Sequence, residues 1–295
     1  MSKKYGNIIY IATGMAIFFG IFFAYNAYVF VRHWFDGRNS LASAQMAQQV
    51  FDGWISEADV PVVAKPSPLP SPFPLPSPPP QSAASGADTE TETAVPEIPE
   101  EQEEQEQELL LLGEMREMTG NEDIVAYLHV PGTNISSVVL QGSDNSFYLD
   151  HDMFREPNMH GAFFLDYTNF PDFSGKNNII YGHNMRNGTM FHNLRYFMDA
   201  PFFEENRYIK IFTDEETLTY EIFAAFSTHT SFNYIKTEFE PAEFEEFLDE
   251  LTHMNFHETD FYLNADDRVL ILSTCTGQGA DMRFVVAGRL CAELT

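Results

Sequence analysis

Twenty-four consecutive residues, Ile8 to Val31, carry no charge, whereas apolar positions elsewhere fall in short blocks. An uncharged run of that length crosses a bilayer with some tilt, and it lacks the short apolar core and small-residue cleavage site of a removable signal peptide. It reads as a transmembrane helix. Beyond Asn121 the blocks are four to ten residues long, rich in branched aliphatics and aromatics, and bounded by Gly, Pro, Asn and Asp. That pattern predicts strands at 125–130, 137–140, 162–165, 178–181, 208–212, 218–227, 269–275 and 284–290. Helical spacing recurs over Met190–Phe197 and over Pro241–Met254, where Phe244, Phe247, Leu248 and Leu251 form a stripe. Many short strands with few helices predict a mainly β fold, a barrel.

The remaining segments divide the chain. Residues 1–7 form a short tail and 8–31 the signal-anchor helix, and 32–60 read as a juxtamembrane helix or stalk with Leu41, Met46, Val50 and Phe51 at roughly helical spacing. Pro61 to Pro80 holds ten prolines in twenty residues, which excludes a packed helix or central strand and favours a polyproline spacer. At about 3.1 Å per residue it reaches roughly 60 Å. From Asp88 to Glu108 there are ten acidic residues and no basic ones, so 61–108 together read as a disordered linker. The folded domain is placed at 109–295, opening with a helix at Leu109-Leu-Leu-Leu.

Charge narrows the partners. The chain has 16 Lys and Arg against 44 Asp and Glu, a net charge of −28. Residues 109–295 alone hold eleven basic and thirty acidic residues, a net of −19. Nucleic acid is disfavoured by simple electrostatics, and amine-bearing partners fit better. Charge does not orient the membrane span, because Lys3 and Lys4 face Arg32 and Arg38 across it. A short tail is easily retained, which favours an inside N-terminus.

Candidate chemistry lies where apolar blocks end. Val269-Leu-Ile-Leu-Ser-Thr-Cys-Thr-Gly-Gln-Gly runs from a strand into a turn, and period-two alternation puts Val269, Ile271, Ser273 and Cys275 on one face. Cys275 thus meets an open loop, and Arg283, on the following strand, can return beside it to stabilise a thiolate or oxyanion. Taken alone, Cys275 reads as a small buried hydrophobe before it reads as a nucleophile, since free cysteine is among the most buried residue types. Asn177-Asn-Ile-Ile-Tyr-Gly-His likewise delivers His183, a candidate general acid or base, just past a strand end. His183 and His192 fit no compact metal-ligand spacing, and the chain has no Cys-x-x-Cys and no Gly-rich phosphate loop, so no metal or cofactor is expected. Cys291 reads as an apolar strand residue, because a disulfide to Cys275 would disable the nucleophile.

The motifs Tyr181-Gly182-His183-Asn184, Leu272-Ser273-Thr274-Cys275 and Arg283, in this order, resemble the sortases, specifically class B, the membrane-anchored cysteine transpeptidases of Gram-positive bacteria. The resemblance runs from about Asn121 to Leu290 and includes Ile124-Val-Ala-Tyr-Leu-His-Val-Pro-Gly, Val139-Leu-Gln-Gly-Ser-Asp-Asn-Ser-Phe-Tyr-Leu and Gly161-Ala-Phe-Phe-Leu-Asp. It implies an eight-stranded sortase barrel with an N-terminal helix and a long helix before the cysteine strand. It also implies an outward-facing catalytic domain on the cell membrane. Cys275 is implied as the nucleophile that cleaves a C-terminal sorting motif after Thr through a thioester, His183 as the acid and base, and Arg283 as the substrate and oxyanion clamp. Asn145, Leu149, Tyr181, Ser273, Thr274 and Thr276 are implied as substrate-binding, with the loop 228–239 as a further wall. The implied partners are secreted proteins bearing a sorting signal and an amine of peptidoglycan precursor. A catalytically idle peptide-binding module on the surface, or a pilus-type enzyme using a pilin lysine, are the alternatives.

Overall fold

Every predicted strand forms, with ends shifted by at most two residues: β1 (Ile124–His129), β2 (Ser136–Leu140), β3 (Phe163–Leu165), β4 (Asn177–Tyr181), β5 (Tyr208–Phe212), β6 (Thr217–His229), β7 (Val269–Cys275) and β8 (Met282–Leu290). The computed structural model describes residues 21, 22, 24–29, 31, 42, 45–52, 111–259, 261–276 and 281–291. The strands close into a barrel in the order β1-β2-β3-β4-β7-β8-β6-β5. Two neighbouring pairs, β2 with β3 and β4 with β7, run parallel, and the others antiparallel.

Alternation decides which side chains fill the interior. Ala126, Leu128, Val139, Phe163, Leu165, Ile180, Ile209, Ile211, Ile222, Leu270, Leu272, Phe284 and Val286, drawn from all eight strands, share one cluster inside the barrel. Phe191, Leu194, Phe197 and Phe203 join it from the segment between β4 and β5. That segment is helical as expected, Phe191–Met198 being a 3-10 helix. Met190 precedes it with φ 56° and ψ −138°, a backbone region hostile to helix for a residue with a Cβ.

Two outer faces are covered. Over β4, β6, β7 and β8 lies α4 (Pro241–His253), opened by proline at its first position. Its Phe244, Phe247, Leu248 and Leu251 pack with Ile179, Val269, Ile271, Val285 and Ala287. Each such side chain removed from water contributes on the order of 1.5–3 kcal/mol. Over β1, β2 and β5 lie two helical segments, α1 (45–52) and α2 (111–119). Phe51 of α1 is 1% exposed and stacks on Tyr127 with ring centroids 4.5 Å apart. The residues read as a stalk therefore include one helix docked on the barrel. A short helix, α3 (Ala200–Glu205), is capped by the Asp199 carboxylate, which accepts from the Phe202 amide.

The expected transmembrane run Ile8–Val31 lies largely outside the described residues, as does the linker 61–108. Within that run Ile21, Phe22, Tyr25, Tyr28 and Val31 are helical and exposed. Among the described residues no helix is long and apolar enough to cross a membrane.

Candidate active site

Parallel pairing of β4 with β7 creates the site. The register sets Ile179 beside Ile271 and Tyr181 beside Ser273, so both strands finish at the same end of the barrel. Two residues further along each strand come His183 and Cys275. Two hydrogen bonds continue the pairing past the ladder, from the Gly182 amide to the Ser273 carbonyl (3.3 Å) and from Asn184 Nδ2 to the Cys275 carbonyl (2.8 Å). On the other side, antiparallel β8 places Arg283 directly across from Cys275 and Val285 across from Ser273. Alternation holds as predicted, since Val269 and Ile271 pack outside under α4 while Leu270 and Leu272 fill the interior. Cys275 therefore stands on the outer face, and it is exposed with a free thiol.

A glycine lets the chain turn from β4 to His183. A Cβ on Gly182 would lie 2.7 Å from Phe163 Cδ1 and 2.8 Å from Phe191 Cδ2, and those two rings are stacked at 4.4 Å. His183 Nε2 lies 2.7 Å from the Leu149 carbonyl. A carbonyl can only accept, so Nε2 carries the hydrogen and Nδ1 is the basic nitrogen of the neutral ring. Asn184 joins a second histidine: its Oδ1 accepts from His192 Nδ1 (2.9 Å), and His192 Nε2 accepts from Arg195 Nη1 (3.3 Å). A chain of three side chains thus holds the carbonyl of the residue bearing the thiol.

A groove of about 300 Å³ opens over these residues. Asn145, Leu149, Tyr181, His183, Ser273, Thr274, Cys275 and Arg283 all line it, which brings eight of the nine sequence-predicted residues together. Thr276 is not among the described lining residues. Its amide donates to the Met282 carbonyl (3.3 Å), continuing the β7–β8 pairing. Thr274 contributes from the buried side, being 4% exposed. The expected wall from the loop 228–239 is present through Thr230, Phe232, Asn233, Tyr234 and Ile235.

Tyr234 escaped individual notice in the sequence. Its hydroxyl lies 2.9 Å from Ser273 Oγ, and burial pushes its phenol above the ordinary value. Asp166 ends the Gly161-Ala-Phe-Phe-Leu-Asp motif, and His192 is weighed in the sequence only as a metal ligand, so neither is marked there as part of the site. Only residue spacing across the fold reveals them. In a chain of net charge −28, no carboxylate is among the described residues lining the groove, and Arg283 and His183 are there instead. The arrangement suits a thiolate attacking a carbonyl, with an adjacent proton carrier and a fixed cation for the oxyanion.

The sortase domain model matches residues 128–291. Sortase B of Listeria monocytogenes is 37% identical over 187 residues, covering 61% of this chain and 75% of that protein. Sortase B of Staphylococcus aureus is 34% identical over 173 residues, covering 58% of this chain and 71% of the relative. Among solved structures, a mutant form of Clostridium perfringens sortase B superposes with a TM-score of 0.60 at 31% identity, over 65% of this chain and 91% of the other. A Staphylococcus aureus sortase B–substrate complex superposes with a TM-score of 0.57 at 29% identity, over 65% and 94%. With the domain model spanning more than half of the sequence and the relatives aligned over most of their own length, the chain belongs to the sortase family and, within it, to the class B cysteine transpeptidases.

Proposed function

We propose that this transpeptidase cleaves a C-terminal sorting motif after threonine and transfers the upstream protein to an amine of peptidoglycan precursor. The observation carrying this reading is the convergence of Cys275, His183 and Arg283 at one end of the barrel, imposed by the β4–β7 and β7–β8 registers. Cys275 thiolate attacks the threonine carbonyl, and Arg283 stabilises the resulting oxyanion and the substrate backbone. Since Nε2 of His183 is committed to Leu149, its Nδ1 takes the Cys275 thiol proton as the thiolate forms and passes it to the departing amine. The C–N bond breaks, a thioester forms, and the C-terminal remainder leaves. The incoming amine then attacks the thioester carbonyl, His183 takes its proton, and Cys275 is released as the new amide forms.

Asn145, Leu149, Tyr181, Ser273 and Tyr234 form the walls for an extended peptide. We place the enzyme on the cell membrane, N-terminus inside and barrel outside, held by the uncharged run 8–31. The test is to incubate the full-length chain with quenched peptides carrying Asn-Pro-x-Thr-Asn or Pro-Pro-x-Thr-Gly, with and without an amine acceptor. An acyl-enzyme mass on Cys275 and an acceptor-dependent ligated product are expected. A folded chain that forms no acyl-enzyme with any peptide would leave the idle binding module as the reading.

A further inference from the structure

Asp166 follows β3 and is 3% exposed, yet the transfer chemistry gives it no part. Its carboxylate accepts four hydrogen bonds. Oδ1 takes the Thr168 amide (2.9 Å) and hydroxyl (2.7 Å), and Oδ2 takes Asn145 Nδ2 (2.8 Å) and the Tyr181 hydroxyl (2.8 Å). The two donors on Oδ2 come from different parts of the chain, one from the loop after β2 and one from the end of β4, and both line the groove.

Counting donors and acceptors shows what remains for a ligand. A phenol has one proton, and Tyr181 gives it to Asp166, so toward anything else its oxygen is an acceptor. Burial and the Asp166 charge push that phenol far above its ordinary value, so the proton stays at any working pH. The amide of Asn145 is oriented at both ends. Its Oδ1 accepts from the Tyr167 amide (3.0 Å) while one Nδ2 hydrogen goes to Asp166. The flip ambiguity of a side-chain amide is thereby removed, and the second Nδ2 hydrogen is left to donate.

We propose that Asp166 is a positioning residue that fixes the hydrogen-bond polarity of the groove wall, with Tyr181 presenting an acceptor and Asn145 a donor, the complement of one peptide group in an extended substrate. The inference rests on the function proposed above. Asp166 acts only through its two partners, so its loss should weaken substrate binding and leave the chemical step at Cys275 intact.

The full-length chain in detergent, assayed with the same quenched peptides, tests this. Asp166→Asn is expected to raise KM about tenfold, the scale of one lost hydrogen bond to a charged group, with kcat within about twofold. Tyr181→Phe should also raise KM, and the double variant should be no worse than the more impaired single variant, because both changes break one interaction. A fall in kcat at constant KM, effects that multiply, or wild-type KM in Asp166→Asn would overturn the assignment. Should Asp166→Asn fail to fold, Asn145→Asp puts an acceptor where Oδ2 needs a donor while keeping Asp166 and Tyr181, and an unchanged KM there overturns it equally. A wild-type chain that cleaves no peptide sinks the proposed function and this inference together, whereas cleavage with indifferent variants sinks the inference alone.

Discussion

At one end of the β7–β8 pair Cys275 stands across from Arg283, and at the other Cys291 follows Arg289. Both ends join a thiol to a guanidinium on neighbouring or adjoining positions, and they are built for different ends. Arg289 lies 3.6 Å from Glu221, which also pairs with Arg207 at 3.5 Å, and both guanidinium groups sit over the Phe261 ring at 5.0 and 5.3 Å. Cys291 is half-buried, its amide donates to the Thr219 carbonyl, and burial with the nearby Glu221 pushes its thiol up. Cys275 is exposed, and Arg283 beside it lines a groove with no carboxylate among its described residues. A cation whose charge is answered by Glu221 supports the fold. A cation set beside an accessible thiol is the arrangement that the proposed oxyanion clamp requires.

The sharpest way to break this contrast is to remove each thiol. Cys275→Ala should lower peptide cleavage roughly 10⁴-fold or more and abolish the acyl-enzyme mass, while Cys291→Ala should stay within about twofold. Comparable losses in both would erase the distinction.

Removing each cation comes next. Arg283→Ala should reduce kcat/KM on the order of 100-fold with little change in unfolding midpoint, as expected for a lost oxyanion donor. Arg289→Ala should show the reverse pattern, near-normal turnover with about 1 kcal/mol lost in denaturant unfolding, because Glu221 keeps Arg207.

A smaller effect tests whether the turn behind His183 is as tight as its contacts indicate. Gly182→Ala forces the stacked Phe163 and Phe191 apart, and overpacking of that kind costs about 1–3 kcal/mol. Cleavage is expected to fall roughly tenfold, since small displacements of a catalytic group are costly, with the loss read as kcat/KM beside the melting temperature.

The mildest probe is alkylation. The thiolate is the reactive form, and a raised pKa keeps Cys291 protonated below its shifted value, so its labelling by iodoacetamide should be slow near neutral pH and rise only as pH climbs beyond the ordinary thiol range. Peptide mapping at pH 7.5 should find the label on Cys275. Preferential labelling of Cys291 would contradict its burial.

Much of this was legible because strands and catalytic motifs leave local signals. All eight strands fall where apolar blocks meet Gly, Pro and Asn, and the α4 stripe of Phe244, Phe247, Leu248 and Leu251 reads directly from its spacing. Other features are only partly local. Met190–Phe197 has helical spacing and forms a helix, of 3-10 type, whose Phe191, Leu194 and Phe197 join the interior cluster of the barrel. The segment around Phe51 reads as a juxtamembrane helix or stalk, and its spacing does not reveal its partner, Tyr127, 76 positions away in the chain. The Gly161-to-Asp166 motif includes Asp166 but not its role, because its partners Asn145 and Tyr181 come from distant parts of the chain.

Local pattern carries the barrel class, the strand blocks, and a thiol, an imidazole and a guanidinium at strand ends, because alternation and turn residues act within a few positions. Which strand ends are neighbours depends on the assembled sheet. Parallel registry of β4 with β7 brings Tyr181–His183 beside Ser273–Cys275, from positions some ninety residues apart, and antiparallel β8 adds Arg283. Registry is set by interior packing across the whole sheet, and so the meeting of Asn145 and Tyr181 at the Asp166 carboxylate follows from contacts that no local pattern encodes.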